Sequence, residues 1–215
     1  MVKGTTDLVE EMRHRKYIDL LPAYGNVSYI DEGPARLVER DVNLGGRIIS
    51  APCILIATGS RPQLPRIQGI ETVDTLDSTA LLTLPSRPES LLILGGGYIG
   101  CELAQMFARS GTQVTLATRS KLLPDAEPEI SDALTEHLKA EGITVKRNLS
   151  YSSAAKSELG ICLSISTDQG EEALEAEQLL LTTGRKPNSE MLGLKEAGID
   201  VLPNGGIFVD ERMRT

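Results

Sequence analysis

The chain has 215 residues, with 22 Lys and Arg against 30 Asp and Glu, a formal charge of −8. That balance argues against coating nucleic acid or adhering to an anionic membrane surface. A hydrophobic content of 40%, with 20 Gly, 11 Pro and only two Phe, five Tyr and no Trp, describes a globular protein with an aliphatic core.

The N-terminal stretch Met1–Asp7 lacks the apolar segment of a secretory signal. No apolar run approaches the about 18–20 residues that span a bilayer. Asp7–Leu21 places Val9, Met12 and Leu20 on one stripe among charges and predicts an amphipathic helix. Val27–Glu32, Arg47–Ser50 and Ile54–Ala57 read as strands, separated by turns at Gly33-Pro34 and Gly45-Gly46. The third is a continuous apolar run ending at Gly59 and Pro62, as in a strand covered on both faces.

From Ser78 to Gly184 the pattern is βαβαβ followed by antiparallel strands. Leu91–Leu94 predicts a buried strand, and Ile99, Leu103 and Phe107 a helix closed by Gly111. Val114–Ala117 is the next strand. Pro128 opens a helix with Ile130, Leu134 and Leu138 inward and Gly142 at its end. Ile143–Val145 follows, then Ile161–Ser166 and Leu174–Thr183 as a return hairpin. Residues 185–215 hold one expected strand, Gly206–Asp210, too little to enclose a core. The flanks are therefore expected to belong together: 1–79 as one partial domain, 80–184 as a complete domain, 185–215 as a return segment.

Gly95-x-Gly97-x-x-Gly100 falls between an apolar strand and a helix. The first glycine suits a tight turn, the second a close backbone approach to a diphosphate, and the third close helix–strand packing. The helix N-terminus then offers N–H donors to the phosphates. An NAD site places Asp or Glu about 20 residues beyond these glycines to accept the ribose 2′-hydroxyl. Here the second strand ends Ala117-Thr-Arg119-Ser-Lys121, with no acid. A guanidinium at Arg119 suits a 2′-phosphate, with Lys121 as a second charge, and favours NADPH. The alternative is a pair of solvated loop cations. Cys53, Cys101 and Cys162, odd in number and far apart, form neither a disulfide framework nor a CxxC metal knuckle, and fit a reducing cytoplasm. Each is expected to be a small buried apolar residue. His14 and His137 lie among charges on predicted helices and read as surface histidines.

Ile56–Pro62 and Leu181–Asn188 echo each other, each a strand ending in Thr-Gly and leaving through proline. With Glu11–Tyr17, Leu76–Thr79, Gly95–Glu102, Thr115–Ser120 and Glu177–Asn188 in that order, the chain resembles the flavoprotein disulfide reductases. That is the family of dihydrolipoamide dehydrogenase and glutathione reductase, and the mercuric reductase branch is the nearest match. The resemblance implies an α/β fold. A Rossmann-like NAD(P)-binding domain of three layers, a parallel sheet plus an antiparallel meander, would be inserted between incomplete parts of a FAD-binding domain. It implies that Gly95, Gly97 and Gly100 hold the NADPH pyrophosphate, Glu102 meets the carboxamide, and Tyr98 covers the flavin until nicotinamide displaces it. Gly184 would lie against the nicotinamide nucleotide. Ile99, with Thr58 and Gly59 at the first crossover, completes the cofactor-contacting set. The family's FAD loop and CxxxxC disulfide would precede residue 1, and its dimerisation domain would follow Thr215. FAD binding and turnover are therefore not expected of this chain alone.

Overall fold

The computed structural model describes residues 2–215, with side chains from Thr6 onward. The chain divides into two compact units, one built on Pro62–Gly184 and the other on Asp7–Arg61 with Arg185–Thr215.

Helix α1 (Val2–Arg13) runs into a π-helical turn at His14–Ile18 and a 3-10 turn at Leu21–Ala23. The regular helix thus ends well before Leu21. Its expected inward stripe is open, with Val9, Met12 and Leu20 exposed by 59%, 43% and 44%. Amphipathic spacing sets a helical period, but burial needs a second apolar surface.

Strands β1 (Ala35–Val38), β2 (Asp41–Leu44) and β3 (Arg47–Ser50) form an antiparallel meander. Gly45 and Gly46 turn it at φ +60° and +96°, and Asn43 Oδ1 accepts the Gly46 N–H at 2.9 Å. Only β3 matches an expected strand in this region. Val27–Glu32 is irregular, and pairing begins beyond the Gly33-Pro34 corner. Ile54–Ala57 has no ladder partner among the described residues, and Leu55 is 88% exposed. Its alternation of half-buried Ile54 and Ile56 with exposed Cys53 and Leu55 keeps a strand's period without a neighbouring strand to pair with. Strand β4 (Ser60–Pro62) closes the segment.

The larger unit starts with Ile67, Ile70 and Val73, all buried, then the short helix α2 (Ser78–Leu82), capped by Asp77 Oδ1 on the Ala80 N–H at 2.8 Å. Next come β5 (Ser90–Leu94), α3 (Tyr98–Arg109), β6 (Gln113–Ala117), α4 (Pro128–Ala140) and β7 (Thr144–Lys146). After them run β8 (Ser150–Ser157), β9 (Gly160–Thr167), β10 (Gly170–Ala176) and β11 (Gln178–Leu181). A parallel sheet has the order β11-β5-β6-β7 and an antiparallel sheet the order β10-β9-β8. Strand β12 (Arg185–Pro187) pairs with β4 in a two-stranded sheet.

The apolar run of β5 shows why the parallel sheet is central. Leu92 and Leu94 pack with Leu163, Ile165 and Leu179 in the cluster shared with the antiparallel sheet. Leu91 and Ile93 pack with Leu103, Phe107 and Leu138 of the helices. All four β5 leucine and isoleucine residues are at most 1% exposed, and burying each stabilises by about 1.5–3 kcal/mol. The architecture is therefore α/β in three layers: helices, parallel sheet, antiparallel meander.

Several local expectations change. Leu174–Thr183 is two strands in two sheets, divided at Glu177, whose N–H donates to Ser90 Oγ at 2.9 Å. Its carboxylate accepts the Glu89 N–H at 2.7 Å. Strand β8 escaped the sequence reading because SYSSAAKS has almost no apolar signal. On α4 the buried face is Ser131, Thr135 and Leu138, while Ile130 is 53% exposed. Gly206–Asp210 reduces to a single bridge between Val201 and Ile207.

Candidate functional site

The glycine loop occupies the C-terminal end of β5. Gly95 adopts φ +113°, a conformation that favours glycine. Its N–H donates to the Ala117 carbonyl at 2.9 Å, and its own carbonyl accepts Thr182 Oγ1 at 2.9 Å. A Cβ here would lie 2.5 Å from the Thr182 carbonyl oxygen. At Gly100 a Cβ would meet the Gly95 carbonyl oxygen at 2.1 Å, so α3 is pressed onto the loop at the third glycine.

Gly97 is different. It is the N-cap of α3 at φ −78°, contributes no side-chain cap, and a Cβ built on it meets nothing within 4 Å. The first helical N–H to reach back is that of Cys101, to the Gly97 carbonyl at 3.0 Å. The preceding N–H groups, those of Tyr98, Ile99 and Gly100, have no intrahelical acceptor. An open face before a helix N-terminus, with partial positive charge, fits an anionic diphosphate.

The end of β6 lies beside this face. Thr118 is buried, and its N–H donates to the Lys146 carbonyl at 2.9 Å. Arg119 is exposed and makes no ion pair among the described residues. The neighbouring cations are engaged. Lys121 Nζ donates to the Ala126 carbonyl. Lys146 holds Glu172 at 2.7 Å and Arg147 holds Asp132 at 2.8 Å. The loop that carries Arg119 is tied back by the Leu123 N–H on the Gly96 carbonyl at 2.7 Å, over a fully buried Leu122.

The structure brings Gly95, Gly97, Tyr98, Ile99, Gly100, Glu102, Arg119 and Lys121 to the ends of adjacent strands and the start of α3. Tyr98 is 67% exposed and Ile99 40%. Glu102 is exposed, and its charge, after burial itself, helps push the Cys101 thiol up to about 11. Gly184 follows β11 at φ +133°, with its carbonyl accepting the Gln63 N–H at 3.1 Å. Thr58 and Gly59 belong to the other unit, where their carbonyls accept Asn188 Nδ2 and the Asn188 N–H at 3.0 Å each.

Two residues of the site went unnoticed in the sequence. Thr182 bridges the carbonyls of Leu94 and Gly95 at 2.9 Å each. Its only signal was the Thr-Thr-Gly echo. Tyr151 Oη donates to the Ala117 carbonyl at 2.9 Å, from a serine-rich strand with no motif. Of the three cysteines expected to be buried, Cys101 is, while Cys162 is half-buried and Cys53 exposed; all are free. Both histidines are exposed, and no metal-holding cluster occurs among the described residues. No described helix is long and apolar enough to cross a membrane.

Residues 8–215 match the family described as pyridine nucleotide-disulphide oxidoreductase. The chain belongs to that family. It is 39% identical to a mercuric reductase of Streptomyces lividans, over 100% of this chain and 46% of the relative. It is 37% identical to a mercuric reductase of Staphylococcus aureus, over 97% and 38%. A dihydrolipoyl dehydrogenase of Geobacillus stearothermophilus is 32% identical over 100% and 45%. The solved structure of the HOCl-induced flavoprotein disulfide reductase RclA from Escherichia coli matches with a TM-score of 0.86 and 31% identity, covering 100% of this chain and 49% of that one. The chain thus spans less than half the length of each of these relatives. Family membership brings FAD and a pyridine nucleotide into consideration. The larger unit fits a dinucleotide at the open Gly97 face. Among the described residues of the other unit there is no second strand–glycine loop–helix to hold a flavin diphosphate, and Thr58–Gly59 alone does not make one.

Proposed function

We propose that this chain is the NADPH-binding portion of a mercuric reductase-like flavoprotein disulfide oxidoreductase. In the whole protein, electrons would pass from NADPH through FAD and a disulfide to Hg(II) as substrate. The observation that carries the nucleotide part is the space before Gly97: open where a diphosphate needs it, and closed at Gly95 and Gly100 where packing needs glycine. When bound, NADPH supplies a hydride. The chain's residues bind and orient it.

The unpaired N–H groups at the start of α3 take the diphosphate oxygens. Arg119 takes the 2′-phosphate in charge-assisted bonds, for which it is free while Lys146 and Arg147 are already neutralised. Lys121 supports it by holding the Ala126 carbonyl at the loop's far side. Glu102 and Ile99 face the nicotinamide half from the first turns of α3, and exposed Tyr98 covers the ring's place until it arrives. Gly184 borders the nucleotide where β11 ends. The nucleotide-binding domain is read as residues 62–184, because Ile67, Ile70 and Val73 complete its core.

The Hg(II) end rests on 39% identity to the Streptomyces lividans relative. A second reading, a nucleotide-binding module without turnover of its own, is favoured by the cysteines. The 215 residues contain no CxxxxC pair, and burial holds the Cys101 thiol protonated. Calorimetric titration with NADPH and NADH, followed by assay of NADPH oxidation with Hg(II), tests these readings. NADPH binding without oxidation is the expected result for this chain. Oxidation by the purified chain, with a flavin absorption band, contradicts it.

A further inference from the structure

The Ala117 carbonyl, at the end of β6, accepts two hydrogen bonds: the Gly95 N–H at 2.9 Å and Tyr151 Oη at 2.9 Å. The first ties neighbouring strands of one sheet together. The second comes from the opposite layer. Tyr151 stands on β8, and its ring packs against the cluster that contains Leu94, Ala117 and Leu149. Its hydroxyl therefore reaches the sheet end where the glycine loop begins and Arg119 departs two residues later.

The Ala117 carbonyl and the Thr118 N–H belong to the same peptide. Tyr151 and Gly95 hold the carbonyl, and the Lys146 carbonyl takes the N–H at 2.9 Å. The peptide plane is fixed on both sides, and buried Thr118 fixes the next residue. Arg119 leaves from a stub that has little freedom. The two groups also feel each other: burial pushes the Tyr151 hydroxyl up to about 12, and the positive charge of Arg119 is the leading influence in the other direction. At neutral pH the phenol is protonated. It donates to the Ala117 carbonyl.

We propose that Tyr151 is a positioning residue that directs Arg119 and so sets the preference for a 2′-phosphorylated cofactor. The inference rests on the assignment of Arg119 to the 2′-phosphate and adds the residue that aims it. The Gly95 backbone also bears on the phenol, but the glycine loop has ties of its own. Without the phenol, Gly95 still donates to Ala117 and still accepts Thr182 Oγ1 at 2.9 Å. Tyr151→Phe also strands no buried acceptor, since the Ala117 carbonyl keeps the Gly95 donor. The diphosphate half of the site is thus preserved, while the peptide that leads to Arg119 loses the Tyr151 tie and keeps those to Gly95 and Lys146.

The test is calorimetric titration of the full chain with NADPH and with NADH, for wild type, Tyr151→Phe, Arg119→Ala and the double variant. Tyr151→Met serves as a second hydroxyl-free variant, and thermal melts verify folding. Tyr151→Phe is expected to weaken NADPH about fivefold and to leave NADH unchanged. In the Arg119→Ala background it is expected to have no further effect, because its route of action is gone. Equal weakening of both cofactors, no weakening, or full additivity with Arg119→Ala overturns the inference. If wild type prefers NADPH and Arg119→Ala abolishes that preference while both Tyr151 variants keep it, only the inference fails. If wild type does not discriminate and Arg119→Ala is silent, the underlying assignment fails with it.

Discussion

Substituting the glycines one at a time should separate folding from binding. Gly97→Ala places a methyl where nothing lies within 4 Å, at φ −78°, which any residue adopts. Alanine gains about 0.4–1 kcal/mol by restricting the unfolded chain, and loses a similar amount as a poorer N-cap than glycine. The net change is within about 1 kcal/mol, a Tm shift within about 4 °C for a chain of this size. The methyl nevertheless stands in the space before the free N–H groups of Tyr98, Ile99 and Gly100. Losing one charge-assisted hydrogen bond of about 2 kcal/mol lowers NADPH affinity about 30-fold. Gly100→Ala should do the reverse in the melt. Its Cβ would be 2.1 Å from the Gly95 carbonyl oxygen and 2.8 Å from Thr182 Oγ1. Neither contact is tolerable, so α3 must retreat at a cost of about 2 kcal/mol, or about 4–8 °C in Tm. Differential scanning calorimetry and NADPH titration of both variants make the comparison. If Gly97→Ala binds like wild type, or melts as low as Gly100→Ala, the cradle has been misplaced.

Other consequences can be checked separately. Arg119→Ala should cost NADPH roughly 10- to 100-fold in affinity and leave NADH nearly untouched; an equal loss for both would remove the 2′-phosphate from Arg119. Ser131 Oγ is fully buried on α4 and has no hydrogen-bond partner among the described residues. Ser131→Ala should therefore hold or raise Tm, by up to about 1 kcal/mol of stability, whereas a clear drop would show that the hydroxyl has a partner. Burial and the Glu102 charge push the Cys101 thiol from 9.0 to about 11. The unfolded chain then ionises first, so its contribution is intact below pH 9 and disappears as pH rises through 11. Urea titrations of wild type and Cys101→Ala should diverge in slope only across that window, and parallel curves would contradict it. With a thiol reagent at neutral pH, Cys53 should react first and Cys101 last, following their exposed and buried positions. Limited proteolysis should leave a fragment near residues 62–184, and uniform digestion would argue against two units.

The sequence was most legible where local signals and tertiary packing agree. The run SLLIL, the glycine loop and the helices closed by Gly111 and Gly142 all lie where periodicity and turn chemistry put them. Legibility failed where pairing depends on partners far away in sequence. Ile54–Ala57 has strand composition but no ladder, and β8 has a ladder but almost no apolar composition. In Leu174–Thr183 an apolar alternation that runs on into Leu179–Leu181 concealed a change of sheet at Glu177, which depends on Ser90 and Glu89 about 87 residues earlier. The site shows the same division. Gly95, Gly97, Gly100 and Arg119 announced themselves by spacing and charge. Thr182 and Tyr151 act through carbonyls at the strand ends, 87 and 34 residues away, and no motif marks such contacts.

The most direct measurement is calorimetric titration of the wild-type chain with NADPH and NADH under identical salt. One NADPH per chain is expected, bound at least about tenfold more tightly than NADH, the difference of one charge-assisted contact. Folded protein that evolves no heat with either cofactor, or binds the two equally, contradicts the account.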